Sequence, residues 1–521
     1  MSLKNLISKN SFFILSLFIF SILINHRYAN LGAFPIDTFL HFDIGYRLLQ
    51  GEIPFSDIWM VSGVLVDYMQ ALFFYLFGAN WNSYVFHASL INGLISVSTY
   101  LLLRSFKINI NYCFIYSLLF SVLGYTSSGT PFVDHHATFF SLMGIYFLLL
   151  GIKTEKKIYW FLLPVILGFG FLSKQVPSVY VILSISIVVI IYSIILKKIE
   201  LIKYILLGSF VFLTFVLIFG FLAGIKFENF IVQYILYPLT VGETRFDGLG
   251  LAFIQTIGHF KFIYLSILPI FFISIKKIIS ENKYFYNKDF FYFLTILFFT
   301  FSLIFHQLLS KNQTFIFFLI PLLIAFSHRT IDDLKITKKK LVSIFLIFCC
   351  LSITFKYHLR FNEGRKFHEL SSVDLSKSIP AEQIHKKLKG LNWISPNYKN
   401  DVQREIQLIN KIKKQLKSDK REKMVITNYS FFSLILNEKL SSPSMAYTDD
   451  GTTYPLGKSK YSEAYKTLII ENIKKNNIKI IYIIDPVDKK SIYDYLSKDC
   501  FEEDEIFKEL NSYVINKCND L

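Results

Sequence analysis

The chain has 521 residues, of which 53% are apolar, 17% aromatic and only 18% charged, with a mean hydropathy of +0.45. Soluble domains carry about 25% charge, so the composition excludes a water-soluble enzyme, and it is far too apolar for a disordered chain. The net charge of +17 is what lysines and arginines in short connectors produce in a membrane protein, and no nucleic-acid partner is expected.

A membrane-spanning helix needs about 20 mostly apolar residues. The first run, 11–25, follows Lys4 and Lys9. No small-residue cleavage site comes after it, so it is expected to remain as an uncleaved first helix. A mixed segment, 25–83, then contains a short apolar run at 64–77 interrupted by Asp67, which reads as a juxtamembrane or re-entrant helix. Further runs follow at 84–103, 111–127, 136–152, 158–173, 177–196, 202–225, 251–275, 290–309, 313–328 and 341–355. The count is about eleven spans.

Every second connector is basic: Arg104 and Lys107; Lys153, Lys156 and Lys157; Lys197, Lys198 and Lys203; Lys276, Lys277, Lys283 and Lys288; then Arg329, Lys335 and Lys338–Lys340. That alternation predicts a cytoplasmic N-terminus and an all-α polytopic bundle over 1–355. The polar, lysine-rich tail, 356–521, is then extracytoplasmic. Its apolar runs at 424–427 and 478–484, with a helical pattern to Glu438 and an amphipathic stretch at 461–476, predict a small α/β domain. Cys113, Cys349 and Cys350 lie in apolar segments, whereas Cys500 and Cys518 share the tail and can pair in an oxidising compartment. No CxxC pair suggests structural zinc.

The remaining connectors, predicted to face outward, collect chemistry. The first holds Asp37, His41, Asp43, Arg47, Glu52 and Asp57; the third Asp134, His135 and His136; the fifth Lys174 and Gln175; the seventh Glu243, Arg245 and Asp247; the ninth Lys311, Asn312 and Gln313. Lys174, Arg245 and Lys311 break the positive-inside trend, so something negative should offset them, and a lipid-linked phosphate fits. A snorkelling anchor to anionic lipid is the plainer reading of Lys174. Asp37 is expected to cap a helix over 39–50, and Asp134 to cap the span from 136. Adjacent histidines diverge by about 100° on a helix and rarely share one ion. No resident cofactor or metal site is assigned, although a divalent metal held by Asp37 and Asp134 stays open.

Pro35-Ile36-Asp37, Tyr46-Arg47-Leu48-Leu49-Gln50-Gly51 and the stretch from Gly63 to Gly78 resemble the first outer loop of GT-C membrane glycosyltransferases, among them bacterial relatives of protein O-mannosyltransferases and lipid A aminoarabinose transferases. Gly168-Phe169-Gly170-Phe171-Leu172-Ser173-Lys174-Gln175 resembles their glycine–apolar–lysine segment, and Lys311-Asn312-Gln313-Thr314 followed by Ile320-Pro321 their later polar patch. Two departures stand out: Thr38 follows Asp37 where many members have glutamate, and Ser62-Gly63-Val64 stands where some have Lys-Pro-Pro.

The resemblance implies a GT-C-like fold with outer juxtamembrane helices. It also implies sugar transfer from a polyprenyl-phosphate donor to an envelope glycan, lipid or protein acceptor at the outer face of a bacterial cytoplasmic membrane. Asp37 takes the place of the general base and Asp134 that of a second acidic group. Lys174 takes that of the phosphate contact, with His41, Asp43, His135, His136, Arg245 and Lys311 as substrate-binding candidates. The rival readings are a transporter or flippase of lipid-linked saccharides, and a non-catalytic envelope assembly protein.

Overall fold

The computed structural model describes residues 3–246, 257–310, 316–334 and 338–516. Nine of its helices are long and apolar enough to cross a membrane: Lys9–Ala29, Trp81–Ser105, Ile110–Ser127, Val133–Thr154, Gln175–Ile195, Ile199–Leu222, Ile257–Ser280, Lys288–Leu309 and Lys339–His368. The other two expected runs form shorter helices, Lys157–Ser173 and Leu319–Asp332. Val64–Phe77 is a 14-residue apolar helix, too short to span. The architecture is a polytopic helical bundle with a small C-terminal sheet domain.

By packing, the chain divides into two compact units. The first comprises residues 1–30, 85–216 and 245–367. Its core is largely apolar, with Tyr116, Phe120, Phe139, Trp160, Tyr192, Phe291 and Phe318 among the buried side chains. Some of the polar groups inside it reach across to neighbouring helices, because hydrocarbon offers an unpaired group no replacement partner. Asn25 on the first helix donates to Ser89 Oγ at 2.9 Å and to the Gly129 carbonyl at 3.0 Å. Gly129 holds φ +78°, and a Cβ there would lie 2.6 Å from the Ala29 Cα, so only glycine fits the turn against the first helix.

One end of this unit gathers the basic connectors. Glu155, just past Val133–Thr154, accepts from Lys198 at 2.7 Å and pairs with Lys288 at 2.8 Å. Lys288 also reaches the Lys153 carbonyl at 3.2 Å. Arg329 pairs with Asp289 at 3.1 Å and lies over the rings of Phe106 and Tyr292. Connectors far apart in sequence therefore meet at a common end, as their alternation requires.

The second unit comprises residues 31–84, 217–244 and 368–521. Its hairpin pairs β1 (Ile379–Pro380) with β2 (Asn392–Trp393). Its main sheet contains β3 (Lys423–Ile426), β4 (Ile480–Ile484), β5 (Phe501–Phe507) and β6 (Leu510–Ile515) in the order β3-β4-β6-β5. Strands β3 and β4 are parallel and joined through the helix Ser462–Lys475, while β6 lies antiparallel to both β4 and β5. Strands β3 and β4 and this helix follow the expected pattern. The sequence reading did not anticipate the β5–β6 hairpin or the helix Val402–Ser418. Trp59 from the first connector and Tyr237 pack into the core of the sheet domain with Met424, Ile481 and Tyr465. Cys500 is disulfide-bonded, and Cys518 lies outside the described residues.

Candidate functional site

In the first unit, three helix ends bring an acid, an amine and an imidazole together. The helix Val133–Thr154 begins three residues earlier than expected, with Phe132 at its cap position and no side-chain cap. Asp134 therefore sits inside the first turn instead of capping it, and its oxygens are spent elsewhere. One accepts from Lys174 Nζ at 2.7 Å. The other lies 3.2 Å from His306 Nε2. Lys174 is held extended (φ −161°, ψ 138°) at the break between Lys157–Ser173 and Gln175–Ile195, which turns its side chain across to Asp134. His306 comes from the last turn of Lys288–Leu309. Arg245 lies within electrostatic range of His306 and of Tyr180.

Asp134 is almost fully buried at 7% side-chain exposure, whereas Lys174 is 24% exposed. The carboxylate is thus the fixed member and the ammonium the accessible one. A buried carboxylate is tolerable only when paired and hydrogen-bonded. Here both oxygens are engaged, so Asp134 is better built to hold Lys174 in place than to accept a proton.

The adjacent histidines diverge, as helix geometry demands. His135 Nε2 faces Ser127 Oγ at 3.1 Å. His136 Nδ1 lies 2.6 Å from the Tyr125 hydroxyl, and its Nε2 lies 3.0 Å from His87 Nε2. The Tyr125 hydroxyl also accepts from the Phe132 amide at 2.7 Å. This network braces the turn that sets Asp134. Beneath it, the buried Arg365 guanidinium donates to the carbonyls of Thr126, Ser127 and Ser128. Among the described residues no three His, Cys, Asp or Glu side chains gather as metal ligands.

The second unit holds the first-connector residues. Asp37 lies within a single helical turn, Pro35–Thr38. It does not cap the next helix: Leu40–Leu49 is preceded by Phe39, without a side-chain cap. Thr38, not Asp37, closes the turn by accepting the Phe34 amide at 2.9 Å. Asp37 is partly exposed. His41 Nδ1 contacts Asp67 Oδ1 at 2.7 Å, with both side chains wholly buried. Burial raises the Asp67 carboxyl pKa, and His41 opposes that shift.

Asp43 borders a pocket with Thr427, Tyr429, Ser433, Ser442 and Ser444. It accepts a long 3.4 Å bond from the Ser433 hydroxyl through one oxygen, and among the described residues the other has no side-chain partner. Burial pushes its pKa up to about 6, against the pull of Arg47. Arg47 in turn binds Glu52 at 2.6 Å and the Ser442 carbonyl at 2.7 Å.

The structure therefore gathers Asp134, Lys174 and Arg245 in one unit, and places His41, Asp43 and Asp37 in the other with different partners. Lys311 and Asp247 lie outside the described residues. His306 was missed in the sequence; its only signal is a single histidine near the end of an otherwise apolar run.

Residues 62–219 match the family model for dolichyl-phosphate-mannose-protein mannosyltransferase. That is a GT-C-type family of membrane glycosyltransferases, so the resemblance read from the motifs is shown by an independent comparison. The match covers Asp67, Asp134 and Lys174 but less than a third of the chain. It supports membrane glycosyltransferase activity in general. No curated protein matches the sequence.

Proposed function

We propose that the chain transfers a sugar from a polyprenyl-phosphate donor to an envelope glycan, lipid or protein on the outer face of a bacterial cytoplasmic membrane. The observation that carries this reading is the partly exposed Lys174 ammonium fixed by Asp134, whose second oxygen is steadied by His306.

In the proposed reaction an acceptor oxygen forms a bond to the anomeric carbon as the bond from that carbon to the phosphate oxygen breaks. The electron pair leaves with the phosphate. Lys174, with Arg245 nearby, stabilises the charge that grows there. The resemblance assigns to Asp37 the base that takes the acceptor proton. Direct displacement with one base inverts the anomeric centre. Asp134 serves as the positioning counter-ion of Lys174. His135 and His136 hold the turn that carries Asp134, while His41 and Asp43 shape the segment that follows Asp37. The disulfide at Cys500 fits an oxidising compartment for the tail.

The test is transfer by purified full-length protein in lipid nanodiscs from a radiolabelled polyprenyl-phosphate sugar, comparing wild type with Lys174→Ala and Asp37→Asn. Loss in Lys174→Ala supports the phosphate role. Undiminished turnover in Asp37→Asn removes Asp37 as the base. Movement of the lipid-linked sugar across a bilayer with no covalent product overturns the reading in favour of a flippase.

A further inference from the structure

In the second unit the helix Val402–Ser418 buries Val402, Ile406, Ile409, Ile412 and Leu416 on one face. The charges it exposes are all positive: Arg404, Lys411, Lys414 and Lys417, with Lys413 half-buried at their edge. Its carboxylate, Glu405, is buried and held by Trp393, Ser395 and Tyr429. Asp401 caps the helix through the Arg404 amide, and Asp419, just past its end, pairs with Arg421.

One edge of this helix lies against the short turns Ala381–Gln383 and Lys386–Leu388. Asn410 donates to the Gln383 carbonyl at 3.1 Å, and Lys413 donates to the Ile384 carbonyl. Lys387 donates to the Leu434 carbonyl at 2.6 Å and covers the Tyr46 ring, 5.5 Å from its centroid. These contacts gather Lys386, Lys387, Lys413 and Lys417 around the His385 imidazole. Burial, and then these four ammonium groups, hold His385 below the ordinary histidine range. Among the described residues, the tail lysines that form ion pairs are Lys423, Lys475 and Lys489, none of them in this group. Glu382, exposed in the preceding turn, leaves the group strongly net positive. Four exposed acids, Glu502, Glu503, Asp504 and Glu505, lie instead on the edge strand β5. Like charges kept together repel one another, and an anionic partner relieves that repulsion.

The exposed large apolar side chains of the described residues end at Leu359, before this domain. A basic helix that lies on a bilayer sets Trp, Phe or Leu beside its lysines, and single-stranded nucleic acid stacks on aromatic platforms. Among the described residues this face offers neither. A hydrated polymer with repeated negative charges needs only spaced ammonium groups. We propose that this lysine group docks a polyanionic envelope glycan, one with a phosphate or carboxylate in its repeat, and, resting on the function proposed above, that this polymer is the acceptor. Lys387 ties the group to the helix Leu40–Leu49, which follows the turn that carries Asp37. The polymer is then held by the same unit as the proposed base.

The experiment measures fluorescence anisotropy of labelled neutral dextran, carboxymethyl dextran and dextran sulfate of equal length with full-length protein in phosphatidylcholine nanodiscs. Salt is kept at about 0.15 M, where long-range attraction is screened. Both charged dextrans should bind at least about tenfold more tightly than the neutral one. The variant Lys386→Gln/Lys414→Gln/Lys417→Gln should weaken that binding at least about tenfold, three exposed charge contacts each contributing a factor of about two to three. A control in the basic connectors of the first unit, Lys276→Gln/Lys283→Gln/Lys340→Gln, should change it less than about twofold. All six lysines are exposed, so both variants should keep the wild-type melting temperature, measured in parallel. Equal binding of neutral and charged dextrans overturns the proposal, as does an equal loss in the control. Capture of phosphatidylglycerol vesicles in preference to the charged dextrans, lost in the first variant, overturns the glycan in favour of a membrane surface. Release of sugar from the lipid donor is followed on the same samples. Release without lysine-dependent polymer binding overturns the docking and leaves the proposed function standing, whereas polymer binding without release overturns that function and the acceptor role with it.

Discussion

The two ends of the helix Lys288–Leu309 handle charge in opposite ways. At one end Lys198, Lys288, Glu155, Asp289 and Arg329 form pairs whose members are all between 23% and 37% exposed. At the other a single carboxylate is sunk to 7% exposure and saturated by an amine and an imidazole. Half-solvated pairs are inexpensive to keep and contribute little. A buried carboxylate is expensive unless every lone pair is met. The first arrangement suits a chain that must only orient itself in a membrane. The second is the arrangement that the proposed phosphate contact requires, and the contrast between the two ends lies within one helix.

The sharpest way to break this contrast is Lys174→Ala. Removing one positioned donor to a developing oxyanion typically costs about 10²–10³ in rate, so transfer of labelled sugar should fall by at least about a hundredfold. Lys277→Gln at the opposite end should leave turnover within about twofold of wild type.

Asp134→Asn comes next. It leaves Lys174 without its counter-ion and should lower the unfolding free energy by about 2 kcal/mol, less than the ~3–5 kcal/mol of a fully buried pair because Lys174 keeps partial solvent access. Thermal unfolding in detergent measures that loss.

His306→Gln retains a donor toward Asp134 and should reduce turnover by only about three- to tenfold, whereas His306→Leu should approach Asp134→Asn. Equal kcat in the two His306 variants would deny the imidazole its positioning role.

The smallest effect belongs to the basic end. Hydrogen bonds from Lys198 and Lys288 hold Glu155 below the usual glutamate range. A depressed acid stabilises above its unfolded pKa and loses that contribution as pH falls through the folded value. Glu155→Gln should therefore cost less than about 1 kcal/mol at neutral pH. The difference from wild type should vanish as the pH drops below about 4. A destabilisation of Glu155→Gln as large as that of Asp134→Asn would erase the distinction between the two ends.

Much of the bundle was legible because long apolar runs have few alternatives. Helix starts were less so: Val133 extends its helix backward and draws Asp134 into the first turn, a shift that burial of the turn enforces and no local signal marks. Strand β5 escaped notice because Glu502, Glu503, Asp504 and Glu505 make it read as a solvated loop, yet as an edge strand it needs only one paired side. The grouping of residues 31–84 and 217–244 with the sheet domain depends on packing between segments hundreds of residues apart. In the site, Asp134 and Lys174 announced themselves as ionisable groups at the ends of apolar runs. His306 did not, since one histidine in an apolar helix is an ordinary occurrence until its partner is known.

Among the described residues the Asn25 amide donates to Ser89 and to the Gly129 carbonyl, 64 and 104 residues further along. The polar group of the first helix is therefore satisfied by segments that follow it in the chain, not by its own helix. In the folded bundle this one amide ties the first helix to the second and to the turn that follows the third helix, Ile110–Ser127.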